Sequence, residues 1–109
     1  MQFKFPKNDE KYSWTNHVGR KMMFYGLSAD RGKRVIRNPN RSEKGIAPNT
    51  IAVMQPAGSK KPSEIWVMYA NRGKKKVIIT AWRYPGKSPI REAIPIPADI
   101  LEELKSIKY

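Results

Sequence analysis

The 109 residues carry 22 Lys and Arg against 9 Asp and Glu, a formal charge of +13, with a hydrophobic fraction of 39%. That is the length of one domain, with enough apolar side chains for one core, so wholesale disorder is excluded despite the charge. The lack of Cys excludes disulfides, thiolate nucleophiles and Cys-based zinc sites, and a single His excludes a multi-histidine metal centre.

No run is long and apolar enough to span a membrane, and the polar start from Met1 to Asp9 lacks the apolar centre of a signal peptide. The expected location is the reducing cytoplasm. A field of +13 attracts polyanions, and phosphate backbones are the commonest of these. RNA is the expected partner, and a generally basic, soluble surface is the blander explanation.

Residues 1–12 read as a polar lead-in arm, docked by Phe3 and Phe5. Residues 13–25 read as a first helix, capped by Ser13 or Thr15, with Trp14, Val18, Met22 and Tyr25 in one apolar stripe. Gly26 stops it, and Gly19 inside it costs about 1 kcal/mol relative to Ala. Ser28 caps a second helix over 29–37, with Val35 and Ile36 as its contacts, and Pro39 ends it. The two should form a helical hairpin.

After Pro39 the pattern turns to strands. Residues 41–47 read as a short edge strand, followed by strands over 50–55, 64–69 and 76–84. Asn71-Arg72-Gly73 supplies a hairpin turn between the last two. Four prolines between 85 and 97 predict an extended connector. Residues 98–107 predict a short terminal helix with Ile100, Leu101, Leu104 and Ile107 on its apolar face. The expected fold is α+β in one domain over 1–109: a hairpin packed on one face of a three- to four-stranded antiparallel sheet, with a short C-terminal helix.

The charge is unevenly spread. From Lys11 to Arg41 there are eight basic residues and one acid, Asp30. From Arg72 to Arg91 there are seven basic residues and no acid, and from Glu92 onward the sign reverses. If the hairpin and the last strand are neighbours, they form one basic surface. Arg31, Arg34 and Arg37 fall three apart along a helix face, so with Arg20 they are candidates for tracking phosphates. The ordinary solvated face of an amphipathic helix explains the same spacing. Lys74 and Lys75 are phosphate candidates or guards against edge-strand aggregation.

His17 lies one turn from Lys21. Nearby cations disfavour its charged form, leaving a neutral imidazole that could act as base or acid in phosphodiester transfer. Filling a hydrogen bond at the hairpin–sheet junction is the simpler role. With no carboxylate pair, metal cluster or Gly-rich phosphate loop in the sequence, catalysis here is expected to need no metal or other cofactor.

Thr15-Asn16-His17-Val18, Lys21-Met22, Tyr25-Gly26-Leu27-Ser28 and Val35-Ile36-Arg37-Asn38-Pro39 form a recognisable set. They resemble small, largely uncharacterised bacterial domains with a helix-borne His, grouped with the RelE-like toxins of the barnase–EndoU–colicin–RelE nuclease fold. The resemblance covers residues 13–84. It implies two helices followed by a four-stranded antiparallel sheet and a metal-independent endoribonuclease, often the toxin of a toxin–antitoxin pair. It places His17 and Lys21 at the helix-borne catalytic positions, with Arg83 and, less closely, Tyr84 in the cleft. The Pro-rich tail and terminal helix have no counterpart in that pattern and could cover the cleft.

Three functions follow as expectations. The first is an RNA-directed endoribonuclease of RelE-like type using His17, Lys21, Arg83 and Tyr84. The second is a non-catalytic nucleic-acid-binding module on the same basic surface. The third is a basic domain that meets an acidic protein such as an antitoxin, with Trp66 or Trp82 as anchors if exposed.

Overall fold

A computed structural model describes residues 4–57, 61–90 and 93–106. The chain forms β1 (Tyr12–Trp14), α1 (Asn16–Tyr25), α2 (Ala29–Arg37), β2 (Arg41–Lys44), β3 (Ile51–Ala57), β4 (Ser63–Arg72), β5 (Lys75–Pro85) and α3 (Ala98–Leu104). The class is α+β, but the sheet differs from expectation. It has five strands in the order β1-β5-β4-β3-β2, and β1 runs parallel to β5 while the other pairs are antiparallel.

The extra strand comes from residues that read as the end of the arm and the first turn of a helix. Tyr12, Ser13 and Trp14 alternate buried, half-buried, buried, and pair with Lys76, Val77 and Ile78. Two aromatics at alternating positions suit a pleated, one-sided surface. Asn8 and Asp9 fix the entry: Asn8 Oδ1 accepts from the Trp14 amide, and Asp9 Oδ1 accepts from the Lys11 and Tyr12 amides.

The first helix therefore begins at Asn16, not at 13. Thr15 makes the transition. Its amide donates to the Ile78 carbonyl, its hydroxyl donates to the Ile79 carbonyl, and the same hydroxyl accepts from the Val18 amide as the helix cap. Trp14 of the expected stripe stays on β1, while Val18 and Met22 carry the buried face of α1. Gly26, at φ 69°, ends α1 in the left-handed conformation, with the Leu27 amide returning to the Met22 carbonyl. Ser28 Oγ caps α2 by accepting from the Arg31 amide. Gly19 lies under the Phe5 ring: a Cβ there would come within 2.5 Å of it, so the half-exposed ring would have to shift. So Phe5 of the arm does dock, whereas Phe3 lies outside the described residues.

The edge strand is shorter than expected, ending at Lys44 rather than 47, and the β4–β5 turn falls at Gly73-Lys74, closed by the Arg72–Lys75 pair. A register shift between Met68 and Tyr69 leaves Ile79 as an extra residue on β5. Its neighbours Ile78 and Thr80 then point to opposite faces.

Both faces are covered. Against α1 and α2 pack Val53, Ile65, Val67, Tyr69, Ile78 and Ala81, together with Tyr12 and Trp14. On the other face Met54, Trp66, Met68, Ile79 and Trp82 pack against Ile94 of the connector and Ile100 of α3. The rings of Trp66 and Trp82 stack at 5.8 Å and 4°, so neither is a surface anchor. The expected one-sided sheet is therefore a central layer. Glu64 to Ala70 of β4 is buried throughout, because its side chains alternate into two separate cores. Of α3's expected apolar face, Ile100 is buried, Leu104 half-buried and Leu101 exposed; Ile107 lies outside the described residues.

Candidate nucleic-acid interface

The sequence-predicted residues divide into separate groups. The first is at the start of α1. His17 is 5% exposed; its Nε2 is 2.8 Å from Thr80 Oγ1 and its Nδ1 is 2.9 Å from Glu103 Oε2. Lys21 Nζ donates to Asp99 Oδ2 and Glu103 Oε1, both at 3.0 Å. Asp99 and Glu103 are one turn apart on α3, as His17 and Lys21 are on α1, so two i,i+4 pairs face each other.

Burial is the main reason the His17 imidazole is held below its ordinary pKa; Lys21 and Arg20 push the same way, against Glu103. Burial draws Lys21 down, but its bonds to Asp99 and Glu103 outweigh this and hold it above the usual lysine value. Asp99 is lowered chiefly by the Lys21 hydrogen bond.

Thr80–His17–Glu103 has the connectivity of a hydroxyl–imidazole–carboxylate triad. Thr80, however, has no exposed surface, so its oxygen meets no substrate in this conformation. The chain of bonds ties β5, α1 and α3 together.

The second group lies at the other end of α1. Arg83 Nη2 donates to the Tyr25 carbonyl at 3.3 Å and Nη1 to Ser63 Oγ at 3.4 Å. Tyr25 is eight residues beyond His17, about 12 Å along the helix axis. Arg83 is therefore not brought together with His17 and Lys21. Tyr84, the next residue on β5, points to the opposite face and packs against the Trp66–Trp82 core.

Arg83 instead joins α2. Arg31 donates to Gln55 Oε1 and to the Pro56 carbonyl, and its charged form is disfavoured first by burial and then by Arg34 and Arg83. Gln55 Nε2 donates to the Arg34 and Asn38 carbonyls, which fastens the end of α2. Among the described residues, Arg31, Arg34 and Arg83 have no carboxylate partner. Arg20 and Arg37 are exposed.

Lys74 and Lys75 are exposed at the far end of β5, about 26 Å from Arg83 along the strand. They share that end with Asp9, which pairs with Lys33 at 3.9 Å. The two basic tracts of the sequence thus meet at both ends of β5: Lys11 and Lys33 lie near Lys75 and Lys76, and Arg31 near Arg83. Arg91 lies outside the described residues.

In the sequence Asp99 and Glu103 read only as acids that favour the start of the terminal helix, and Gln55 only as the end of a strand. The matched i,i+4 spacing of Asp99/Glu103 and His17/Lys21 was a usable signal. Gln55 in an apolar strand gave none. Phe24, which also gave no signal, is 76% exposed, with its ring against Tyr25 and Lys21. No helix among the described residues is long and apolar enough to cross a membrane. No described group of three or more His, Asp or Glu side chains could hold a metal ion. No family model, curated protein or solved structure shows a significant match to this chain.

Proposed function

We propose that this chain is an RNA-directed protein that grips phosphates with Arg31, Arg34 and Arg83, extended by the exposed Arg20 and Arg37. The observation that carries this reading is the clustering of three arginines without a carboxylate. Like charges held together raise the free energy of the unliganded surface, and a phosphate relieves it. Gln55, Ser63 and the Tyr25 carbonyl hold two of the guanidinium groups in place, so less side-chain freedom is lost on binding.

The test is RNA affinity across a salt series. Replacing Arg31, Arg34 and Arg83 with Gln should lower the slope of log K against log salt by about 2, at roughly 0.7 per single-strand phosphate contact. Arg34→Gln alone removes an exposed side chain and should lower it by about 0.7 without disturbing the fold. An unchanged slope in the triple variant overturns the proposal.

A second reading, a metal-independent endoribonuclease of RelE-like toxin type, is favoured by one observation: His17 is held through Nε2 by Thr80 Oγ1 and has Lys21 one turn on. In this reading His17 moves the proton and Lys21 steadies the phosphate once α3 has withdrawn its two acids. An acidic partner such as an antitoxin would then compete for the same cations. Incubation with RNA, with and without chelator, tests it in the parent, in Asp99→Asn/Glu103→Gln and in His17→Ala. Cleavage should rise in the second and vanish in the third; equal cleavage by all three sinks it.

A further inference from the structure

The outer face of α1 is not only basic. Arg20, Met23 and Phe24 are exposed at i, i+3 and i+4, so they share one surface. Phe24 is 76% and Met23 46% exposed, although each occupies a helix whose other side supplies the core. Tyr25 meets the Phe24 ring edge-on at 4.9 Å, and Lys21 Nζ lies 5.9 Å from its centroid. Lys21 thus lies over the ring and Tyr25 against it, and 76% of the residue stays open to solvent. The backbone carbonyl of Tyr25, the next residue, accepts the hydrogen bond from Arg83, so the arginine cluster adjoins the end of the same helix.

Resting on the RNA-directed reading, we propose that Phe24 is a base-stacking platform and that the ligand of this surface is single-stranded rather than duplex RNA. Phosphate contacts alone do not distinguish the two. An exposed aromatic beside them does, because only an unpaired strand can turn a base onto a protein ring. Charge complementarity selects the polyanion, and Phe24 selects its unpaired form. Met23 extends the apolar contact, and Arg20 lies one turn back to take the adjoining phosphate.

The experiment uses the full chain with a fluorescein-labelled 12-nucleotide RNA, the blunt duplex of the same sequence, and an abasic strand of equal length. The parent should bind the single strand more tightly than the duplex or the abasic strand. Phe24→Ala should weaken single-strand binding roughly 5- to 150-fold, the equivalent of ~1–3 kcal/mol per stacked base. Phe24→Trp should retain it. The salt slope should stay as in the parent, since no phosphate contact is lost. Because Phe24 is exposed, the thermal midpoint should barely move.

Equal affinity of parent and Phe24→Ala for the single strand, or equal affinity of the parent for duplex and single strand, overturns the proposal. So does tighter binding to an acidic peptide than to RNA. Failure here leaves the arginine variants still lowering the salt slope, whereas failure of the RNA-directed reading leaves that slope untouched. A parent that binds no RNA overturns both.

Discussion

Ile100→Ala asks what holds α3 over His17. Two kinds of contact are available. The ionic set joins Lys21 to Asp99 and Glu103, and His17 to Glu103. The Asp99 and Glu103 side chains are 56% and 42% exposed, so water screens them, and pairs of this kind contribute about 0–1 kcal/mol each. The apolar contact is Ile100, which is fully buried in the core containing Ile79 and Trp82. Truncating a buried Ile to Ala costs about 2–5 kcal/mol, counting the cavity left behind. The apolar anchor should therefore dominate. Thermal unfolding followed by circular dichroism should show a midpoint drop of roughly 8 °C or more for Ile100→Ala, at about 4 °C or more per kcal/mol for a domain of this size. Amide exchange along β5 should accelerate near Thr80. Asp99→Asn/Glu103→Gln removes three such pairs and should cost under about 3 kcal/mol. If the acid-to-amide variant costs more than Ile100→Ala, the ranking is wrong and α3 is held by charge.

Three further outcomes follow from the same contacts. His17 is held below its ordinary pKa by burial, with Lys21 and Arg20 acting with it and Glu103 and Asp99 against it. The unfolded chain then binds a proton near pH 6.5 that the folded chain resists, so this stability is complete above about pH 6.5 and is lost as the pH falls below it. Thermal midpoints measured from pH 7.5 to 5 should fall, and His17→Gln should flatten that decline; an unflattened decline removes His17 as its source. Gly32→Ala should raise stability by up to about 1 kcal/mol through helix propensity, because a Cβ there meets Trp14 at an ordinary 3.6 Å. Gly45→Ala should destabilise in the same unfolding assay, because its Cβ would come within 2.8 Å of the Thr50 Cβ and displace the hydroxyl bonded to the Ala47 carbonyl.

Much of the candidate site was legible as residue types but not as an arrangement. His17 with Lys21, and Arg31 with Arg34, are each within one turn of a helix, so chain spacing alone made them neighbours. Arg83 could be assigned to a strand, but its side depends on a pairing register that shifts by one residue at Met68/Tyr69. Phe24 gave no signal, since an exposed and a buried aromatic on a helix are identical in composition.

The sequence by itself determined the two helices, their Gly26 and Ser28 punctuation, four of the strands, the positive field and the acidic tail. Those are local properties, set by caps, turn residues and periodicity over a few residues. Only the tertiary structure decided that Tyr12–Trp14 is a parallel edge strand, because β1 pairs with residues more than sixty positions away. It likewise decided that the tail lies across the second face of the sheet, where Asp99 and Glu103 meet Lys21 and His17. The result is a division of the basic charge that no composition could show. The cations at the start of α1 are met by acids from the chain's own tail, while Arg31, Arg34 and Arg83 at the other end have no carboxylate partner among the described residues.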